Sequence, residues 1–166
     1  VPSGRDVTAR LVEHHLARVR ELLVAAAALR PADLARPLRP GFVVVAFEGE
    51  EASAALMAQR LVATLEIWVA AMAGDALPAP AGSLLARFDR AAADFARIAA
   101  LIVRRGAEDD AFVDALCEPP QSFTYGAVIA HVLTYGAIRR EALAGVLAQL
   151  GAALGSSDPI VWEQRR

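Results

Sequence analysis

Residues 53–74, SAALMAQRLVATLEIWVAAMAG, read as a helix from end to end. Ser53 is a good N-cap, because its hydroxyl can accept from an unpaired N–H of the first turn. Gly74 is the natural stop, because glycine adopts the left-handed backbone of a helix C-terminus without strain. Alanine fills much of the interval and loses no side-chain entropy in a helix. Leu56, Met57, Arg60, Thr64, Ile67, Trp68 and Ala71 fall on one stripe at helical spacing. A charged Arg60 near the middle of that stripe is the anomaly that guides the rest of the reading.

Three more segments show the same grammar. A first helix is expected from Asp6 to Leu29, ended by Pro31, with Leu11, Val12, His15, Val19, Leu22, Leu23 and Ala26 on one stripe. A third runs from Ser83 to Gly106, its buried face marked by Leu84, Phe88, Phe95, Ile98 and Ile102. A closing helix runs from Ser122 to Gly151, with Val128, Val132, Tyr135, Arg139, Val146 and Leu150 on its stripe.

The connections differ in kind. Residues 30–52 hold Pro31, Pro37 and Pro40, and Phe42-Val43-Val44-Val45 is expected as an extended piece packed on the helices. So long a connection crosses the helices or covers one end. Residues 75–82 form a loop. Residues 107–122 are acidic, then carry Pro119-Pro120, with one short helix expected over Ala111–Leu116. The tail, 152–166, ends in an apolar Ile160-Val161-Trp162 that folds back on the helices or meets a second subunit. Together these elements predict an all-α four-helix bundle as a single domain over residues 1–166.

Composition agrees. The 166 residues suit one domain, and the hydrophobic share of 56% is alanine-swollen. Net charge is −2 with acids and bases interspersed, and no basic cluster points to nucleic acid. Every positive side chain is Arg. No apolar run looks long and charge-free enough for a membrane span. One cysteine rules out an internal disulfide, which together with the lack of a leader-like segment points to the cytoplasm. That cysteine, Cys117, has acidic neighbours, whereas a reactive thiol wants basic ones. No glycine-rich phosphate loop or nucleophile elbow is present.

Function must then come from polar groups on apolar stripes. Arg60, His15, and the pair Tyr135 and Arg139, one helical turn apart, are the candidates. Arginine cannot escape burial by losing its proton, and an isolated buried guanidinium is costly. Either these arginines snorkel or pair with acids such as Glu13, Glu66 or Asp94, or they line a pocket for a small anion, with Tyr135 and His15 as hydrogen-bond partners.

Three stretches carry a resemblance to a known family: Glu13-His14-His15-Leu16 through Leu22-Leu23, Arg60 through Trp68, and Ala130-His131-Val132-Leu133-Thr134-Tyr135-Gly136-Ala137-Ile138-Arg139-Arg140. They resemble the helices of the DinB/YfiT-like superfamily. The resemblance covers nearly the whole chain and is most specific in the second and closing helices. It implies an up-down-down-up bundle, often a homodimer. It also implies a three-histidine site for a divalent metal such as Zn or Ni, and in some relatives transferase or isomerase activity with mycothiol, bacillithiol or glutathione. The ligand positions here match Arg60, Tyr135 and Arg139, and Arg140 matches the arginine that follows the family's closing histidines.

Two guanidiniums would repel a cation held between them, so no metal is expected at Arg60, Tyr135 and Arg139. The departure from the family pattern at these positions points instead to a metal-free module, with a small anionic ligand in the bundle as its expected guest. The alternative that the resemblance implies is a thiol-dependent enzyme using His15, Tyr135 or His131 for acid–base work.

Overall fold

A computed structural model describes residues 6–165. Most of them are helical. Four long helices, α1 (Val7–Ala27), α3 (Ala54–Ala73), α4 (Leu84–Arg105) and α5 (Tyr125–Gln149), dominate the chain. Two short ones, α2 (Pro31–Leu34) and α6 (Pro159–Glu163), flank them.

The helix ends follow local chemistry. Asp6, Ser53, Ser83 and Thr124 cap α1, α3, α4 and α5, each accepting a bond from the N–H three residues on. Gly74 and Gly106 close α3 and α4 in the left-handed conformation. Pro31 lies in the first turn of α2, where its missing N–H costs nothing.

α3 packs against α4 and α5, and α1 packs against the same two helices. The shared core includes Val19, Leu22, Val62, Phe88, Phe95, Val128, Leu143 and Leu147, all essentially without solvent contact. α3 has the length and mean hydropathy, 1.3, of a membrane-crossing helix, contrary to the sequence expectation. Its alanine-rich sequence raises hydropathy on every side, and Met57, Leu61, Val62 and Leu65 are buried among the other helices.

The segment after α4 departs from expectation. In place of a short helix over Ala111–Leu116, strands β1 (Ala111–Asp114) and β2 (Gln121–Thr124) pair antiparallel, Ala111 opposite Thr124 and Asp114 opposite Gln121. Phe112 and Val113 favour extended backbone. The Asp114 carboxylate accepts from the Leu116 N–H and the Cys117 thiol, which fixes the turn instead of a helix start. β2 then takes the residues expected to open the last helix, so α5 starts at Tyr125.

Residues 42–45 form only one bridge, Val43 to Glu50, around a 3-10 turn at Ala46–Glu48. Val45 is buried, and Phe42 and Val44 pack on the core. The tail returns to α1. There Trp162 meets the His14 ring edge-on at 5.4 Å, and the Gly155 N–H donates to Glu21.

Candidate functional site

The sequence stripe on α3 is rotated from the true core face. Met57, Ala58, Leu61, Val62 and Leu65 point inward, while Arg60, Thr64 and Trp68 lie at the boundary and Ile67 is exposed. A helix apolar on nearly every side does not reveal its buried face by periodicity. On α1, Leu11 is likewise exposed, although the rest of its expected stripe is buried.

α5 places His131, Tyr135 and Arg139 four residues apart on one face, beside Thr64 and Trp68 of α3. The 46–51 connection lies over this face and supplies the acids. Arg139 Nε and Nη2 donate to Glu48 Oε2 and Oε1 at 3.0 and 2.6 Å, with side chains 6% and 16% exposed. This is the bidentate fork that arginine makes with a carboxylate. The Thr64 hydroxyl reaches Glu48 Oε1 at 3.5 Å.

Arg60 is only partly buried. Its Nη1 donates to the Glu50 carbonyl at 3.0 Å and pairs with Glu51 Oε2 at 3.1 Å. Glu51 itself is buried. The arginines therefore pair with acids, but not with Glu13, Glu66 or Asp94. Their partners come from an irregular connection, where periodicity gives no signal.

Tyr135 is held by rings. His131 lies 4.6 Å from it at an interplanar angle of 30°, and the Phe47 ring lies 5.9 Å away. The Arg139 guanidinium carbon stands 6.0 Å from the Tyr135 ring centre. Trp68 meets His131 edge-on at 5.2 Å. Burial, then the positive charge of Arg139, lowers the His131 pKa, with Glu48 opposing.

His15 sits deeper and has a different role. The Arg140 Nη1 donates to its Nδ1 at 3.1 Å, which leaves the ring proton on Nε2. Burial, with Arg140 and His14 adding positive charge, pushes its pKa down to about 3. Such a ring stays neutral and shut away, so it is a structural acceptor for a buried arginine. His15, Thr64, Gly136 and Arg139 do meet at one internal cavity, but its volume is about 20 Å³. That is room for about one water. Arg60 and Tyr135 do not line it.

His14 is also buried, outside the apolar stripe expected on α1, because the covering chain is the distant tail. Its pKa is lowered by burial first, then by Arg140, against a backbone bond at Ser157. The Asp114 carboxylate beside Cys117 raises that thiol's pKa, which disfavours a thiolate nucleophile.

Among the described residues, no three His, Cys, Asp or Glu side chains are grouped to hold a metal ion. Arg60, Tyr135 and Arg139, which the resemblance aligns with metal ligands, do not fit one either. Arg60 and Arg139 present only N–H donors and positive charge, and the adjoining Glu48 is already engaged by Arg139.

No family model matches the chain, and no curated protein matches it. The resemblance therefore stands on the residues that carry it.

Proposed function

We propose that this chain is a DinB-like four-helix bundle that works as a metal-independent binding or structural module. The observation that supports this is the bidentate Glu48–Arg139 fork, with a single Arg60–Glu51 ion-pair contact beside it. Where relatives gather three imidazoles around a cation, these side chains tie the 46–51 connection to α5 and α3. Their charges cancel locally, so the face offers little attraction to a metal.

A small anion remains in this reading only as a competitor. It would have to displace Glu48 from Arg139, because the neighbouring cavity holds about one water. The thiol-dependent enzyme is the second reading, and the half-exposed His131–Tyr135 stack is what supports it. With its pKa lowered, His131 is a neutral base near pH 7, whereas His15 is too buried for proton transfer.

The test is elemental analysis of untagged protein purified without chelator, paired with thermal melts in Zn, Ni, phosphate and low-molecular-weight thiols. The module reading expects no stoichiometric metal and no metal-dependent rise in Tm. Stoichiometric Zn or Ni would overturn it. Stabilisation by phosphate that grows in Glu48→Gln would establish the competing-anion form. Turnover of a thiol with an electrophile, lost in His131→Gln, would establish the enzyme.

A further inference from the structure

A second cavity lies away from the α5 face. It measures about 440 Å³ and opens where the 75–82 loop passes the C-terminal end of α3 and the first half of α4. Small-molecule sites commonly have this size. Its apolar lining includes Val69 and the buried Ala70 and Ala91.

Its charges fall into two groups. Arg87 and Glu66 close on each other in a bidentate pair and cancel. Asp75, Asp94 and Arg90 remain. Among the described residues no side chain donates to the Asp75 carboxylate. Asp94 pairs only with the exposed Arg97. Arg90 Nη2 donates to the Ala81 carbonyl at 2.6 Å and has no carboxylate partner, so most of its donors are uncommitted.

The helix end adds to the asymmetry. α3 carries no basic residue in its last turn, and Asp75 follows directly on its Gly74 stop. The C-terminal end of a helix is already partially negative and is usually complemented by a cation. Here Asp75 adds a second negative group, and the last turn of α3 itself holds no cation. An ammonium is the natural complement of Asp75, and a carboxylate that of Arg90.

We infer that this cavity binds a small zwitterion, an α-amino acid with an aliphatic side chain. Its ammonium meets Asp75 and the α3 terminus, its carboxylate meets Arg90, and its side chain covers Val69, Ala70 and Ala91. A simple anion would face Asp75 and Asp94. A simple amine would leave Arg90 beside it unanswered. Only a ligand carrying both charges answers both kinds of lining group.

Leucine, isopentylamine and 4-methylpentanoic acid separate the contributions, measured by calorimetry and by amide shift mapping on the full chain. Leucine is expected to bind, with shifts at 69–70, 75–76, 79 and 90–91, and each truncated probe about tenfold more weakly or worse. Asp75→Asn and Arg90→Gln, both at exposed positions, are each expected to weaken leucine about tenfold while leaving Tm unchanged. Absence of leucine binding at millimolar concentration overturns the inference. So does binding that neither variant weakens, or shifts confined to other residues. None of these outcomes bears on metal content or on the α5 face, so this inference and the module reading fail separately.

Discussion

Gly136 faces His15 so closely that a Cβ on the glycine would lie 2.4 Å from the ring Cε1 and 2.8 Å from Nε2. The ring cannot retreat easily, because Arg140 holds its Nδ1. Gly136→Ala should therefore destabilise the protein by about 1–3 kcal/mol through overpacking, although alanine is the better helix former. Gly145 on the same helix is the control, with nothing within 4 Å of a built Cβ. Gly145→Ala should stabilise by about 0.5–1 kcal/mol. Urea unfolding of the two variants checks both signs. Equal effects would mean that α1 and α5 do not approach at this point.

The Glu48–Arg139 fork predicts an asymmetry. Glu48 stands on a loop turn and can swing to water when Arg139 is lost. Arg139 is 5% exposed on a rigid helix and cannot. Glu48→Ala should cost about 3 kcal/mol, and Arg139→Leu clearly less. The double variant Glu48→Ala/Arg139→Leu should recover most of the loss, because it leaves no charge behind. A double-mutant cycle from denaturant unfolding measures this. Additive effects would show that the two side chains do not interact.

The capping residues made α3 and α4 legible to their ends: Ser53, Ser83, Gly74 and Gly106 stand in the sequence where the structure uses them. The buried face was legible on α4, where Phe88, Phe95, Ile98 and Ile102 contrast with charged neighbours. On α3 it was not, because alanine makes every face apolar, and Arg60 was placed too far inward. Glu48 and Glu51 carried no signal, since nothing periodic marks a loop carboxylate that will meet a helix. The hairpin did leave a trace in Phe112-Val113 and Phe123, which are extended-chain formers beside a proline pair. His14 could not be read as buried from its own helix, since its cover comes from residues 155–162.

His15 sets a pH dependence. Its pKa falls from 6.5 to about 3 on folding, so below 6.5 the unfolded chain takes up a proton that the folded chain refuses. The stability is fully present above pH 6.5 and is lost as pH falls towards 3, by about 1.4 kcal/mol per pH unit from this group. The lowered pKa values of His14 and His131 act in the same direction near the top of that window. Unfolding free energies between pH 7 and pH 5 should therefore fall steeply, and less so in His15→Gln. The same slope in both proteins would show that His15 is protonated in the folded state.

The tail is the cover that keeps His14 from water, and that can be tested without touching the helices. α6 contributes Trp162, which lies against the ring, and Arg10 pairs with Glu163 at 2.7 Å to hold α6 down. Truncation after Gly151 removes these contacts together with the backbone bond at Ser157. Burial is the largest cause of the lowered His14 pKa, so the truncated protein should show that pKa rising towards 6.5. His15 is screened by Gly136 and Arg140, which the truncation leaves in place, so its ring should remain neutral. Imidazole NMR titration reads both rings in one experiment, and circular dichroism checks that the long helices persist. If His14 kept its lowered pKa after truncation, Arg140 and Arg18 would be its main cause and the tail would not be its cover.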